Sequence, residues 1–288
     1  MHFSYICCQN KLNPKSRRVI TGTNSIMRRF LIVLSAVVLV AFSSCKEVTE
    51  GDITTKDYDN PSSYTALEVS NAFDAYVSEN TDVITITAGE NVMPYVVVET
   101  ENNTLKIYLK PMTILNISEL KVVLPYNADL LSVTLSGASE FHSEFGLAGE
   151  DLNIELSGAS EFYCDLTASD DLDLIMSGAS KIESALIADE LKLEMSGASH
   201  ATLTGEVSNL KLDLSGASKL KENVIGTQYS LSCGQCEGTI SGASSAYIHC
   251  DGNITVDLSG ASQLHYTGNG NSSDSHCSGG STIHHDGQ

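Results

Sequence analysis

Through the second half of the chain, apolar residues alternate with polar ones over short runs, and the runs themselves recur. Aligned on the block SGAS, which begins at Ser136, Ser157, Ser177, Ser196, Ser215, Ser241 and Ser259 with a degenerate SGGS at Ser278, the position just before it is Leu135, Leu156, Met176, Met195, Leu214, Ile240, Leu258 and Cys277. Two residues earlier stand Val133, Ile154, Leu174, Leu193, Leu212, Gly238 and Val256, and two earlier again Leu131, Leu152, Leu172, Leu191, Leu210, Cys236 and Ile254. A period of two marks a strand with one buried face. A further apolar column follows the block at Phe141, Phe162, Ile182, Ala201, Leu220, Ala246, Leu264 and Ile283. Each unit therefore reads as strand, tight corner, second short strand and variable turn.

The intervals between blocks are 21, 20, 19, 19, 26, 18 and 19 residues, the longest carrying one short inserted loop. Units this short cannot hold helix pairs, nothing in them has a 3.6-residue period, and the LxxLxLxxN spacing of leucine-rich repeats is absent. One unit cannot bury its own apolar face, so the units must stack, as in other one-dimensional repeat proteins. The expected fold class is all-β, a solenoid of short coils of about 19 residues, and eight coils at strand spacing make a rod roughly 35 Å long.

The small-residue block is the corner of each coil. Its glycines, Gly137, Gly158, Gly178, Gly197, Gly216, Gly242 and Gly260, permit a backbone turn that side chains forbid. Alanine and serine keep the corner thin enough for neighbours about 4.8 Å away, and the serine hydroxyls are placed to bond nearby backbone. A nucleophilic role for the serines is the competing reading. It fails on number: a nucleophile is needed once, and this block recurs without a paired base.

The flanks differ. Met27 to Cys45, MRRFLIVLSAVVLVAFSSC, has a basic start and an apolar run, Phe30 to Phe42, of 13 residues, and reads as a signal peptide over residues 1–44 with its true start at Met27. The run is too short to span a membrane. Phe42-Ser43-Ser44-Cys45 resembles a bacterial lipobox, which would make Cys45 the lipidated first residue; an ordinary signal-peptidase site is the alternative. Residues 45–63 lack an apolar pattern and read as a flexible tether. Residues 64–128 keep strand character without the repeat (DVITITAG, YVVVET, TLKIYLKP) and are expected to cap the stack. Residues 129–288 carry the repeat, continuous with the segment before it, and the leucine-poor end TGNGNSSDSHCSGGSTIHHDGQ reads as a frayed last coil or a polar cover.

These stretches carry a resemblance. EVSNAFDAYVSENTDVITITAG, then VVVETENNTLKIYLKP, then the repeated LxLSGAS resemble the putative auto-transporter adhesin, head GIN domain family over about Glu68 to Gly260. The resemblance implies an exported or lipid-anchored protein, a right-handed single-stranded parallel β-helix, and no known catalytic residues.

Charge narrows the function. From Cys45 onward the chain has ten lysines, no arginine and 36 acidic residues, a formal charge of −26. Such a surface repels nucleic acid, which needs a basic footprint, and it lacks arginine's bidentate fork for phosphates or carboxylates. Outward acids such as Glu155, Asp173, Glu194, Asp213 and Asp257 read as solubilising, since neither an EF-hand nor a GGxGxD calcium repeat is present. The positions after the corner, Glu140, Glu161, Lys181, His200, Lys219, Ser245 and Gln263, read as a solvated face.

Two readings of the cysteines stand. Cys164, Cys233, Cys236, Cys250 and Cys277 either fill apolar columns as small hydrophobes, as the phases of Cys236 and Cys277 indicate, or pair as a disulfide between the inserted coil and the next. His265 and His284 share a repeat position and are placed to stack, but a polar chain end explains the late histidines more simply than a metal. No cofactor, metal or catalytic group is expected. A β-helix that degrades polysaccharides would need a base or a carboxylate pair in a groove and longer loops. The expected role is that of a non-enzymatic adhesin or structural module at the cell envelope, anchored to the outer membrane by its lipid, with a protein or glycan partner; an extracellular glycan-binding protein is the alternative.

Overall fold

In the computed structural model, which describes residues 47–61, 63–111, 113–115, 117–221, 224–225 and 228–286, the apolar columns become hydrogen-bonded ladders. The strand Ser132–Leu135 pairs in parallel with Leu152–Leu156, which pairs with Asp171–Met176, and so on through Ile254–Leu258 to His276–Cys277. Leu135, Leu156, Met176, Met195, Leu214, Ile240, Leu258 and Cys277 are register partners in succession, without a slip. The column after the corner does the same from Phe141 through Phe162 and Ile182 to Ala201 and Leu220, and from Ala246 through Leu264 to Ile283. The fold is all-β: among the described residues the sole helical element is a single 3-10 turn, Met93–Tyr95.

Corner geometry explains the block. At every one of the seven motif glycines φ lies between 72° and 76°, the left-handed region in which glycine pays no Cβ penalty. Proximity matters as much: a Cβ on Gly178 would sit 2.4 Å from the carbonyl oxygen of Gly158 in the preceding coil. That carbonyl accepts a hydrogen bond from the alanine N–H one residue on, Ala179, at 2.7 Å, and the same bond recurs at each corner from Ala159 to Ala261. The second serine of the block is buried from Ser139 to Ser262, and at Ser139, Ser160, Ser199 and Ser262 its hydroxyl donates to the carbonyl of the first, at 2.9 Å from Ser160 to Ser157.

Three features lay beyond the sequence pattern. The variable turn holds a third ladder, Leu147–Gly149 against Leu166–Ala168, continued by Leu186, Gly205 and Leu231. The stack also begins one coil lower than the motif. Ala66–Val69 and Asp74–Ser78 pair in parallel with Ser132–Leu135 and Glu140–His142, so Ser70-Asn71-Ala72-Phe73 lies beneath the first SGAS. Asn71 and Ala72 both have φ of 68°, and Phe73, fully buried, replaces the buried serine. Directly below this coil Thr104–Leu109 and Leu120–Pro125 still pair with it in parallel; beyond them the pairing turns antiparallel, Ile53–Asp59 on Val83–Gly89 on Leu120–Pro125, and Val96–Glu101 on Thr104–Leu109.

Three expectations are corrected. Residues 53–59, placed within a tether, form a seven-residue strand; the segment is polar because it lies on a half-exposed sheet rather than in the core. Cys277, placed in a buried column, is exposed, because among the described residues its strand pairs on one side only, with Asp257–Leu258. The last coil is regular rather than frayed: Thr282–His285 pairs in register with Gln263–Thr267, and Gly280 donates to Gly260 at 2.7 Å. The long interval is absorbed by an antiparallel hairpin, Val224–Ile225 with Gln228–Tyr229, after which the ladder resumes. Cys45 and the signal peptide lie outside the described residues.

Candidate interaction surfaces

Because alternate residues point outward at a fixed phase, every coil adds one member to each surface column. The phase after Phe141 and Phe162 places His142 and Tyr163 over Tyr76, and the three rings stack with centroids 4.9 and 4.7 Å apart and planes 9° from parallel. Lys121 Nζ lies 4.5 Å from the free face of Tyr76, and Lys181 Nζ 4.9 Å from the free face of Tyr163. This lysine-capped ladder turns ring edges to solvent and spends its faces internally. A sugar stacks on ring faces, so these tyrosines offer it no platform. Burial, reinforced by the hydrogen bond to Glu161, raises the Tyr163 phenol, while hydrogen bonds to Glu183 and Tyr163 hold Lys181 charged. At the base, Asp74 sits directly under Glu140; burial first, and then that like charge, raise its carboxyl above the usual range.

A second ladder stands at the C-terminal end. Tyr247, His265 and His284 stack at 4.7 and 4.6 Å, so the two histidines do share a column. Asp286 ties the end together, accepting from Tyr229 Oη at 2.7 Å and lying 2.8 Å from His265 Nδ1. Burial disfavours its charge, but the hydrogen bonds from Tyr229 and His265 outweigh it and keep the carboxyl below its ordinary range. Among the described residues no group of three or more His, Cys, Asp or Glu side chains is arranged to hold a metal ion.

A concavity lies on the strand face before the corner, a groove of about 370 Å³ whose polar lining is Glu190, Asn209, Lys211, Gln235, Glu237, Asn253 and Thr255. Glu190, Asn209 and Gln235 are successive register partners, so amides climb its wall, and Lys211 spans to Glu190 at 2.6 Å. The groove sits where the inserted coil rejoins the stack. Its chemistry is hydrogen bonding to neutral polar groups, with no nucleophile and base in contact. Sequence reading singled out Leu210 and Cys236, whose columns floor the groove, but none of its polar residues, although their repeat phase was visible.

The motif glycines all occupy corners, and their neighbouring alanines are exposed, so they shape the molecule rather than bind. Among the described residues the five cysteines carry no disulfide in this structure. Cys164 donates to Phe145 O at 3.2 Å, and burial pushes its thiol up to about 11, which makes it inert at neutral pH.

Comparison places this architecture among solved relatives. A family model described as putative auto-transporter adhesin, head GIN domain, matches residues 63–270. A putative adhesin from Parabacteroides merdae is similar with a TM-score of 0.71 at 19% identity, over 84% of this chain and 99% of that one. A putative adhesin from Parabacteroides distasonis gives 0.67 at 18%, over 84% and 98%. A third structure, described as a putative lipid binding protein from Parabacteroides distasonis, gives 0.68 at 17%, over 83% and 99%. Identities this low speak to fold alone. No curated protein matches the chain.

Proposed function

The chain belongs to the putative auto-transporter adhesin, head GIN domain family, and from that premise we propose that it is a non-enzymatic, lipid-anchored binding rod of the cell envelope. The rod is a right-handed single-stranded β-helix, capped below by the antiparallel strands. In-register parallel ladders at one-repeat intervals support the coil, and right-handed crossover between parallel strands supports its hand. Cys45 carries the lipid, and the outer membrane is the anchor. The observation that carries a binding role is the surface itself, columns of repeated polar side chains with a polar groove. The partner is an envelope or extracellular protein or glycan; a net charge of −26 from ten lysines and 36 acidic residues keeps nucleic acid away.

A glycan ligand is the specific second reading, favoured by the amide-lined groove rather than by the stacked tyrosines. Screening the purified chain on glycan and matrix-protein arrays tests both. Selective binding to either class that is lost in Asn209→Ala/Gln235→Ala supports a binding rod with its site in the groove. Turnover of a polysaccharide abolished by one carboxylate substitution would defeat the non-enzymatic reading.

A further inference from the structure

Three thiols meet inside the stack where the inserted coil rejoins it. Cys233 and Cys250 are register partners on adjacent parallel coils, one step beyond Ser232 and His249. Directly paired residues of neighbouring strands have α-carbons about 4.8 Å apart, inside the ~4.4–6.8 Å that a disulfide spans. Both side chains face the interior, Cys233 at 3% exposure and Cys250 at 0%, and each thiol donates to a backbone carbonyl, Cys233 Sγ to His249 O at 3.4 Å and Cys250 Sγ to Gly234 O at 3.9 Å. Ala188 and Val207 occupy the same column in the coils beneath, so the position accepts compact side chains. Cys236 is the alternative partner that the sequence offers Cys233. It lies three residues along a strand continuous from Leu231 to Ile240, however, a rise of roughly 10 Å before the corner shortens it. Its own register partners are Leu210 and Ile254, which carry no sulfur.

We propose that Cys233 and Cys250 form a disulfide between the inserted coil and the next one when the chain folds under oxidising conditions. The export reading above enters only as the place where such conditions are met. One cysteine, as thiolate, attacks the disulfide of an oxidised thiol–disulfide exchange partner, such as oxidised glutathione or an oxidoreductase, and one partner sulfur leaves as thiolate. The second cysteine then displaces the remaining partner sulfur. One S–S bond forms in the protein and one breaks in the partner, which departs as two thiols carrying both electrons and both protons.

Timing follows from the same geometry. In the folded coil the neighbouring Cys236 thiol, with burial, raises Cys233; the neighbouring Cys233 thiol, with burial, raises Cys250. Neither supplies thiolate once packed, so the exchange belongs to folding.

The test uses the mature chain, reduced in denaturant, refolded in a buffer of oxidised and reduced glutathione, alkylated and mapped by mass spectrometry. The expected product is a Cys233–Cys250 linked peptide, with the protein lighter by two hydrogens and Cys164 and Cys236 alkylated on unfolding. Cys236→Ala should keep the link, Cys250→Ala should lose it, and reductant should lower the thermal midpoint of the refolded parent but not of Cys250→Ala. Fully alkylated cysteines, or a Cys233–Cys236 link, would overturn the proposal. In a second arm, cells producing the protein are alkylated before lysis. A linked pair there is expected; free thiols there beside a positive refolding result would count against export and leave the bond chemistry standing.

Discussion

At a single corner, two demands fall on one atom that glycine lacks. Gly178 must turn left-handed, and its missing Cβ makes room for the Gly158 carbonyl 2.4 Å away. Gly137 faces only the first demand, since its nearest neighbour, Asn71 N, is 3.3 Å from where a Cβ would be. Gly178→Ala should therefore cost about 3 kcal/mol, from the strained conformation plus a backbone clash, and Gly137→Ala about 1 kcal/mol, as read by urea unfolding. Equal costs would contradict close stacking of the corners. The buried serines differ in the same local way. Ser160 Oγ donates at 2.9 Å to Ser157 O, while Ser180 Oγ has no hydrogen-bond partner among the described residues. Ser160→Ala should cost about 1 kcal/mol, and Ser180→Ala should be neutral or slightly stabilising; the reverse order in the same unfolding experiment would show that the hydroxyls do not hold the corner.

Between elements, what pairs was readable from sequence wherever the pairing is parallel and uninterrupted. A parallel in-register stack puts residues of one phase in one column, so Leu135 and Leu156 announce their contact by position alone. That logic failed at the first coil, where Asn71 stands in for the glycine and Phe73 for the serine, although asparagine is the side chain that best tolerates a left-handed turn. It failed at the third ladder because Leu147 and Leu166 are isolated apolar residues in short strands. It failed at Ile53–Asp59, whose partner strand is antiparallel and whose side chains stay half in water. The surface columns were legible in part, with His265 over His284 anticipated and Tyr76, His142 and Tyr163 not, since the lowest ring belongs to the unrecognised coil. The C-terminal coil carries its own prediction. Asp286 is held below its ordinary pKa in the fold, so its contribution is present above the unfolded carboxylate value and is lost as pH falls through the depressed one. Amide exchange of residues 282–286 should quicken through that acid window while that of Lys181–Met195 does not, and Asp286→Asn should remove the difference. Uniform loss of protection would mean that Asp286 does not tie the end down.

Over the whole molecule, the ladders set shape, and the proposed lipid anchor at Cys45 sets the address to be tested. Replacing Cys45 by serine should move the protein from the membrane fraction to the soluble envelope fraction, measured by immunoblot after fractionation, with no change in its melting temperature; retention in the membrane would remove the lipid anchor from the account. The central claim is that successive corners rise by one strand spacing per coil. Nitroxide labels on the exposed corner alanines, in a background in which Cys277 is serine, measure that rise by pulsed electron resonance. Ala159 and Ala243 are four corners apart, and Ala138 and Ala261 six, so the distances should be roughly 19 and 29 Å at about 4.8 Å per coil, each narrowly distributed. Distances that do not grow in proportion to the number of corners would contradict the stacked-coil structure and every surface column derived from it.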